Sequence, residues 1–281
     1  MEIISSIQQM QDRSNRLRRN GKTIVFVPTM GFLHDGHLTL LREGKKLGDD
    51  LVLSIFVNPT QFGPAEDFDA YPRNMERDLA LAEGAGVNAV FTPDRSDLYG
   101  AGYQTYVQLE NLPNHLCGIS RPTHFRGVAT VVAKLFNIVK PQIAIFGQKD
   151  YQQLAVIRRM ARDLNFDIDI QGSPTVRETD GLAMSSRNAY LSSEQRKKAV
   201  CLFQALNKAG ELVKNGETSA AVILDMVRGL ILSQTETRID YISLCDPDTL
   251  EEMTAIDRPA LLALAVFMGK TRLIDNKLLA F

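Results

Sequence analysis

Two histidines, His34 and His37, stand three residues apart around Asp35 and Gly36 in the stretch 28-PTMGFLHDGHLTLLR-42. Imidazoles at that spacing can ligate a metal, pack as ordinary loop residues, or aim N–H donors at an anion. Gly31 and Gly36 permit a tight turn from the apolar run 23-TIVFVP-28 into a helix starting near His37 or Leu38. A helix starting there points free backbone N–H groups and the positive end of its dipole into the loop, where phosphate oxygens fit. One histidine then donates to an oxygen that gains negative charge, and the other approaches the same anion. The zinc reading lacks a cysteine or a carboxylate-rich third-ligand motif. GxGxxG and GxxxxGK[ST] are both missing from the loop, so it is neither a dinucleotide fingerprint nor a P-loop.

Four further stretches carry chemistry of the same kind. The polar, proline-rich 58-NPTQFGPAEDFDAYPR-73 opens with Asn58 and Gln61. The Gln61 amide can hold a small ligand bearing hydroxyl and carboxylate groups, although turn polarity alone explains the stretch equally well. In 147-GQKDYQQL-154, Lys149 can counter phosphate charge, Asp150 can cap a helix or take a ligand hydroxyl, and Gln153 can face the same cleft. In 184-MSSRNAYLS-192, Ser185, Ser186 and Arg187 can share several phosphate oxygens, or form an ordinary turn. The stretch 121-RPTHFRG-127 adds Arg121, His124 and Arg126, either as an anion site or as a surface cluster.

Each stretch needs an element to hold it. Strand composition at 23–28, 51–57, 88–92, 143–147 and 167–171 alternates with helical spacing at 38–47, 74–85, 127–140 and 152–165. That alternation predicts an α/β fold whose N-terminal domain is a Rossmann-like parallel sheet, with its ligand beyond the carboxyl ends of the strands. Residues 1–22 read as a surface helix rather than a transit peptide, and Asp78 as a surface acid on the helix at 74–85. After Val176 come two amphipathic helices, 193–216 and 218–234, and strands at 239–245, 261–267 and 271–276. The expected organisation is therefore residues 1–175 as the ligand-binding domain and 176–281 as a smaller α+β C-terminal domain that closes over the site.

Composition narrows the partners. With Lys+Arg 32 against Asp+Glu 33, the formal net charge is −1, which disfavours nucleic acid and anionic membranes. The longest apolar run, 260-ALLALAVFM-268, is too short to span a bilayer and reads as a buried strand. Cys117, Cys201 and Cys245 are odd in number and widely spaced, as expected of reduced core thiols in a cytoplasm.

Taken together, PTMGFLHDGH, FVNPTQF, DAYPR, HFRGV, GQKDYQQ and MSSRN, in this order, resemble the pantoate–β-alanine ligase family, within the wider HxGH-type adenylate-forming superfamily. The one departure is Gln148, which leaves Lys149 and Asp150 in place. The resemblance implies an ATP-dependent amide ligase, Mg2+ carried with the nucleotide, and a homodimer. His34, His37 and Lys149 would serve catalysis. ATP would be bound by Met30, Gly31, Phe32, Leu33, His34, Asp35, Gly36 and His37. Gly147, Gln148, Lys149, Asp150, Val176, Met184, Ser185, Ser186 and Arg187 would complete that site. Gln61 and Gln153 would hold pantoate, Asn58 with Gln61 would lie near β-alanine, and Asp78 is a candidate magnesium contact. A nucleotidyltransferase acting on a phosphate-bearing acceptor would use the same HxGH loop and stays open at this level.

Overall fold

The computed structural model describes residues 1–64 and 66–280. The strands are β1 (Glu2–Ile4), β2 (Ile24–Thr29), β3 (Asp50–Ile55), β4 (Ala89–Phe91), β5 (Ile143–Gly147), β6 (Asp169–Ser173), β7 (Thr237–Cys245), β8 (Ala260–Met268) and β9 (Thr271–Leu279). The helices are α1 (Ile7–Arg19), α2 (Asp35–Gly44), α3 (Met75–Gly84), α4 (Arg95–Leu98), α5 (Cys117–Ser120), α6 (His124–Val139), α7 (Tyr151–Asp163), α8 (Ser193–Lys198), α9 (Cys201–Lys214) and α10 (Ala220–Leu232). The chain divides into two compact units. The first comprises Met1–Leu109, Arg121–Gln148 and Gln153–Pro174; the second comprises Glu110–Ser120, Lys149–Gln152 and the chain from Thr175 onward.

The first unit is built on a six-stranded sheet in the order β1-β4-β3-β2-β5-β6, parallel throughout. Its central strands β2 and β3 are apolar and buried on both faces, as a parallel sheet covered by helices requires. Val25, Val27, Leu51, Leu53 and Ile145 meet Leu33, Leu38 and Leu41 from the α2 side in one core. From β2 the sheet grows toward β3 and β4 in one direction and from β5 toward β6 in the other. The carboxyl ends of β2 and β5 therefore flank the point where strand order reverses, where ligands settle in such sheets.

The first residues depart from the expectation of a lone surface helix. Glu2–Ile4 form an edge strand parallel to β4, and in α1 Met10 and Ser14 are fully buried. Arg13 lies beneath this helix and forms a bidentate pair with Asp50 at 2.6 and 2.8 Å, with Glu2 3.0 Å from its Nε. A three-residue strand carries too little periodicity to be seen in sequence. β6 also starts two residues later than expected, and the helix expected over 193–216 breaks into α8 and α9.

The second unit carries a three-stranded antiparallel sheet, β7-β8-β9. Its middle strand is the run ALLALAVFM, buried along almost its whole length, and it packs with α9 and α10 into a second core. Among the described residues no helix is long and apolar enough to cross a membrane. All three cysteines are buried, and none is in a disulfide.

Candidate active site

The loop after β2 is held in a conformation that only the tertiary structure supports. Thr29 Oγ1 donates to the Ser54 carbonyl at 2.9 Å and accepts the Gly31 N–H at 3.3 Å. Gly31 (φ +82) and Phe32 (φ +51) then both enter the left-handed region. Glycine is favoured here by its φ, and a Cβ on Gly31 would also crowd Asp78 Oδ2 and Ile55 Cγ2, each 3.0 Å away. Phe32 has no such exemption and is held there by Asp78, whose carboxylate accepts the N–H groups of Phe32 at 2.6 Å and Leu33 at 2.7 Å. Asp78 is 1% exposed. The expectation of a surface acid is thus corrected. The carboxylate is on the inward face of α3, one turn before buried Ala82, and both its oxygens brace the loop.

His34 is the N-cap of α2, which begins at Asp35, two or three residues earlier than expected. Its Nδ1 accepts the Gly36 N–H at 3.1 Å, and His37 Nδ1 accepts the His34 N–H at 3.3 Å. With Nδ1 of each ring acting as acceptor, the proton of the neutral imidazole resides on Nε2. The ring centroids are 4.1 Å apart, so the two imidazoles stand together at the positive end of the α2 dipole. Among the described residues no group of three or more His, Cys, Asp or Glu could hold a metal ion. The donor set, imidazoles and backbone N–H groups at a helix N-terminus, fits an anion.

Asn58 and Gln61 follow β3 at the same carboxyl edge. Asn58 is 1% exposed. Its Nδ2 donates to Gln61 Oε1 at 3.2 Å and to the Gly127 carbonyl at 3.1 Å. Its Oδ1 accepts from Thr60 Oγ1 at 2.9 Å and from the Tyr99 hydroxyl at 2.9 Å. Burial pushes the Tyr99 phenol up to about 12, which keeps it a donor at neutral pH. Gln61 is fixed at both ends. Its Nε2 lies 2.8 Å from Met30 Sδ, and its backbone carbonyl accepts from Arg121 Nη2 at 3.2 Å and from His124 Nδ1 at 2.8 Å. Arg121 also forks onto Glu66. Burial would raise the Glu66 carboxyl, but the Arg121 guanidinium more than offsets this and holds it below the ordinary range. Gly127 completes the bed, because a Cβ there would stand 2.3 Å from the Thr60 carbonyl. The stretch 121–127 therefore seats Gln61, while Arg126 stacks 3.8 Å over the Tyr106 ring.

Gly147 ends β5, and Gln148 donates to the Gly172 carbonyl at 3.3 Å within the first unit. Gln153 lies on α7, partly buried, in the same unit. Lys149, Asp150, Val176 and Met184–Arg187 belong to the second unit. There Val176 and Met184 close the neck of a hairpin, the Met184 N–H donating to the Val176 carbonyl at 3.0 Å. Ser185 caps the short turn of helix Ser186–Tyr190, its Oγ accepting the Arg187 N–H at 3.3 Å. Asn188 ties this turn to Glu178 at 2.8 Å and to the Ala183 carbonyl at 3.1 Å. Gln152, absent from the expected site, accepts the Cys117 N–H and donates to the carbonyls of Leu112 and His115. Thr60, Tyr99 and Gln152 were missed because none carries chemistry in its own stretch, and the bracing role of Asp78 is invisible there for the same reason. The signal available for Asp78 was its spacing of four from Ala82 on the buried face.

A profile of the family described as pantoate-beta-alanine ligase matches residues 2–278. The chain is 63% identical over 279 residues to the pantothenate synthetase of Desulfatibacillum aliphaticivorans, covering 99% of each, and 57% identical over 276 residues to that of Geobacter sulfurreducens, covering 98% of each. The crystal structure of pantothenate synthetase from Thermus thermophilus superposes with a TM-score of 0.94 at 45% identity, covering 99% of both chains. Pantoate-beta-alanine ligase from Francisella tularensis, complexed with beta-gamma ATP and beta-alanine, superposes with a TM-score of 0.82 at 32% identity, covering 99% of this chain and 97% of that one. Nothing in these likenesses supports the nucleotidyltransferase alternative. The chain is a member of the pantoate–β-alanine ligase family.

Proposed function

We infer that this enzyme joins pantoate to β-alanine at the expense of ATP, through an acyl-adenylate. In the first step a pantoate carboxylate oxygen bonds to the α-phosphorus, and the bond from that phosphorus to the bridging oxygen breaks to release pyrophosphate. In the second, the β-alanine amine adds to the acyl carbon, loses a proton, and expels AMP to leave the amide. The observation that carries this reading is the pair of adjacent imidazoles, each with Nδ1 held by a backbone N–H, on a loop locked by Asp78. Carboxylate attack on a polyanion is opposed by charge repulsion, and preorganised donors lower the barrier where charge accumulates.

In this scheme His34, His37 and the loop from Met30 onward bind the phosphates and the departing pyrophosphate. Lys149, Ser185, Ser186 and Arg187 are assigned to the same phosphates, and Gly147, Gln148, Asp150, Val176 and Met184 to the nucleotide. Gln61 and Gln153 hold pantoate. Asn58, whose amide is engaged by Gln61, Gly127, Thr60 and Tyr99, acts by presenting Gln61. Magnesium bound to the nucleotide would supply charge neutralisation on the phosphates. The resemblance that implies these roles also implies a homodimer, which sedimentation tests directly, and buried cysteines without disulfides suit a cytoplasmic location.

The test is exchange of labelled pyrophosphate into ATP with pantoate present and β-alanine absent. Pantoate-dependent exchange is expected, and its fall to a small residual rate is expected in His37→Ala and Lys149→Ala variants that keep the wild-type fold. Wild-type exchange in either variant would remove that residue from the reaction.

A further inference from the structure

Lys149 lies in the turn Gln148–Asp150, and its backbone carbonyl accepts a hydrogen bond from Asn276 Nδ2 at 2.9 Å. Asn276 is on β9, next to Asp275, whose Oδ1 accepts the Asn276 N–H at 2.8 Å. Asp275 is 2% exposed and takes a two-pronged ion pair from Arg177, Nη1 to Oδ2 at 2.6 Å and Nη2 to Oδ1 at 2.9 Å. Arg177 Nη1 also donates to the Gly181 carbonyl at 3.0 Å, and its guanidinium lies 4.7 Å from the centroid of the Phe203 ring. Gly181 (φ +98) turns the hairpin that leads from Val176 to Met184, and a Cβ on it would stand 2.0 Å from Phe203. Two adjacent residues of one strand thus hold the backbone of Lys149 on one side and, through Arg177, the hairpin leading into Met184–Arg187 on the other. Lys149 and the residues that hold it all belong to the second unit.

We propose that Asn276 and Asp275 are positioning residues for adenylate formation, setting the Lys149 turn and the 176–187 hairpin in a common frame. Neither is assigned to substrate. Lysine places a point charge on a flexible four-carbon stem, so the direction of its ammonium depends on how firmly its backbone is seated. A displacement of about 1 Å in a reacting group can cost about 10²-fold in rate. A hydrogen bond from a residue within a paired strand is a stiff way to prevent such a shift. The buried Asp275–Arg177 pair makes that strand position rigid in turn, because separating the pair would leave an uncompensated buried charge.

This inference rests on the role given to Lys149 above, and the experiment separates the two. Pyrophosphate exchange is measured for Asn276→Ala, Lys149→Ala and the double variant, with ATP concentration varied and thermal midpoints recorded. Asn276→Ala is expected to lower the kcat of exchange about tenfold or more while the ATP KM changes by less than about twofold, the signature of a lost transition-state interaction. Added to Lys149→Ala it is expected to lower exchange no further, as coupled residues do. Asn276→Asp, equal in size but lacking the donor, is expected to reproduce the loss and stands in if the alanine variant fails to fold. Wild-type kcat in both Asn276 variants, or a full additional drop in the Lys149→Ala background, would overturn the positioning role alone. Wild-type exchange in Lys149→Ala would overturn the role of Lys149, and this inference with it.

Discussion

Asp78 shows how much of the loop after β2 depends on a residue outside it. Its carboxylate is the acceptor for two consecutive N–H groups, one of them on a non-glycine residue at positive φ. Asp78→Asn retains shape but turns one acceptor into a donor facing an N–H. The expected outcome is a stability loss of about 2–3 kcal/mol, the range for a charged hydrogen bond left unmade. Pyrophosphate exchange should fall with it, as the Gly31–Phe32 backbone relaxes. Urea denaturation alongside exchange checks both, and an unchanged midpoint would show that the loop holds its own conformation. Asn58→Ala is expected to act differently, raising the pantoate KM, because it frees Gln61 while leaving the histidine loop intact.

Elements settle where these residues stand. The start of α6 and the turn Pro59–Gln61 touch so closely that Gly127→Ala would place a methyl group inside contact distance of the Thr60 carbonyl. An overpacking cost of about 1–3 kcal/mol is expected, with a raised pantoate KM, because the turn and Gln61 must shift together. Steady-state kinetics and a melting curve read the two effects separately. The Arg13–Asp50 pair joins α1 to the first residue of β3, at the opposite end of that strand from Asn58 and Gln61. Arg13→Ala should cost about 3–5 kcal/mol by leaving Asp50 charged and buried. Activity per folded molecule is expected to stay at the wild-type level, which titration of active enzyme against unfolding midpoint would establish.

Across the whole molecule, pH acts on stability from two sides. Burial pushes the Cys201 thiol up to about 11 and the Cys245 thiol up to about 12. A proton held more tightly in the folded state contributes stability that is present below the ordinary thiol value of about 8.5 and is lost as pH rises through the folded values. Neither thiol should react with a disulfide reagent at pH 8 in a native Cys117→Ser variant, and both should react on denaturation. Reaction of either in the native protein would contradict its burial. Glu66 acts in the opposite sense. Its depressed value contributes stability above the ordinary carboxylate range of about 4.3, lost as pH falls below it, so Glu66→Gln should flatten the acid limb of the stability curve.

Much of this protein was determined by local chemistry that any reader of the chain can see. The apolar runs at 23–28, 51–57 and 143–147, alternating with helical spacing, read as buried parallel strands, and Gly31, His34 and His37 mark the loop that follows the first of them. Period, turn residues and ionisable groups act over a few positions, which is why they survive in the sequence. Tertiary structure decided what crosses long separations. It placed Asp78 under the loop at Phe32, Tyr99 on Asn58, His124 on the Gln61 carbonyl, and Asn276 on the Lys149 carbonyl. It also selected the Nε2–H form of both histidines by giving each Nδ1 a backbone donor. A hydrogen bond between residues 46 or 127 positions apart leaves no period and no motif in the chain. It exists only once the strands have set their ends side by side.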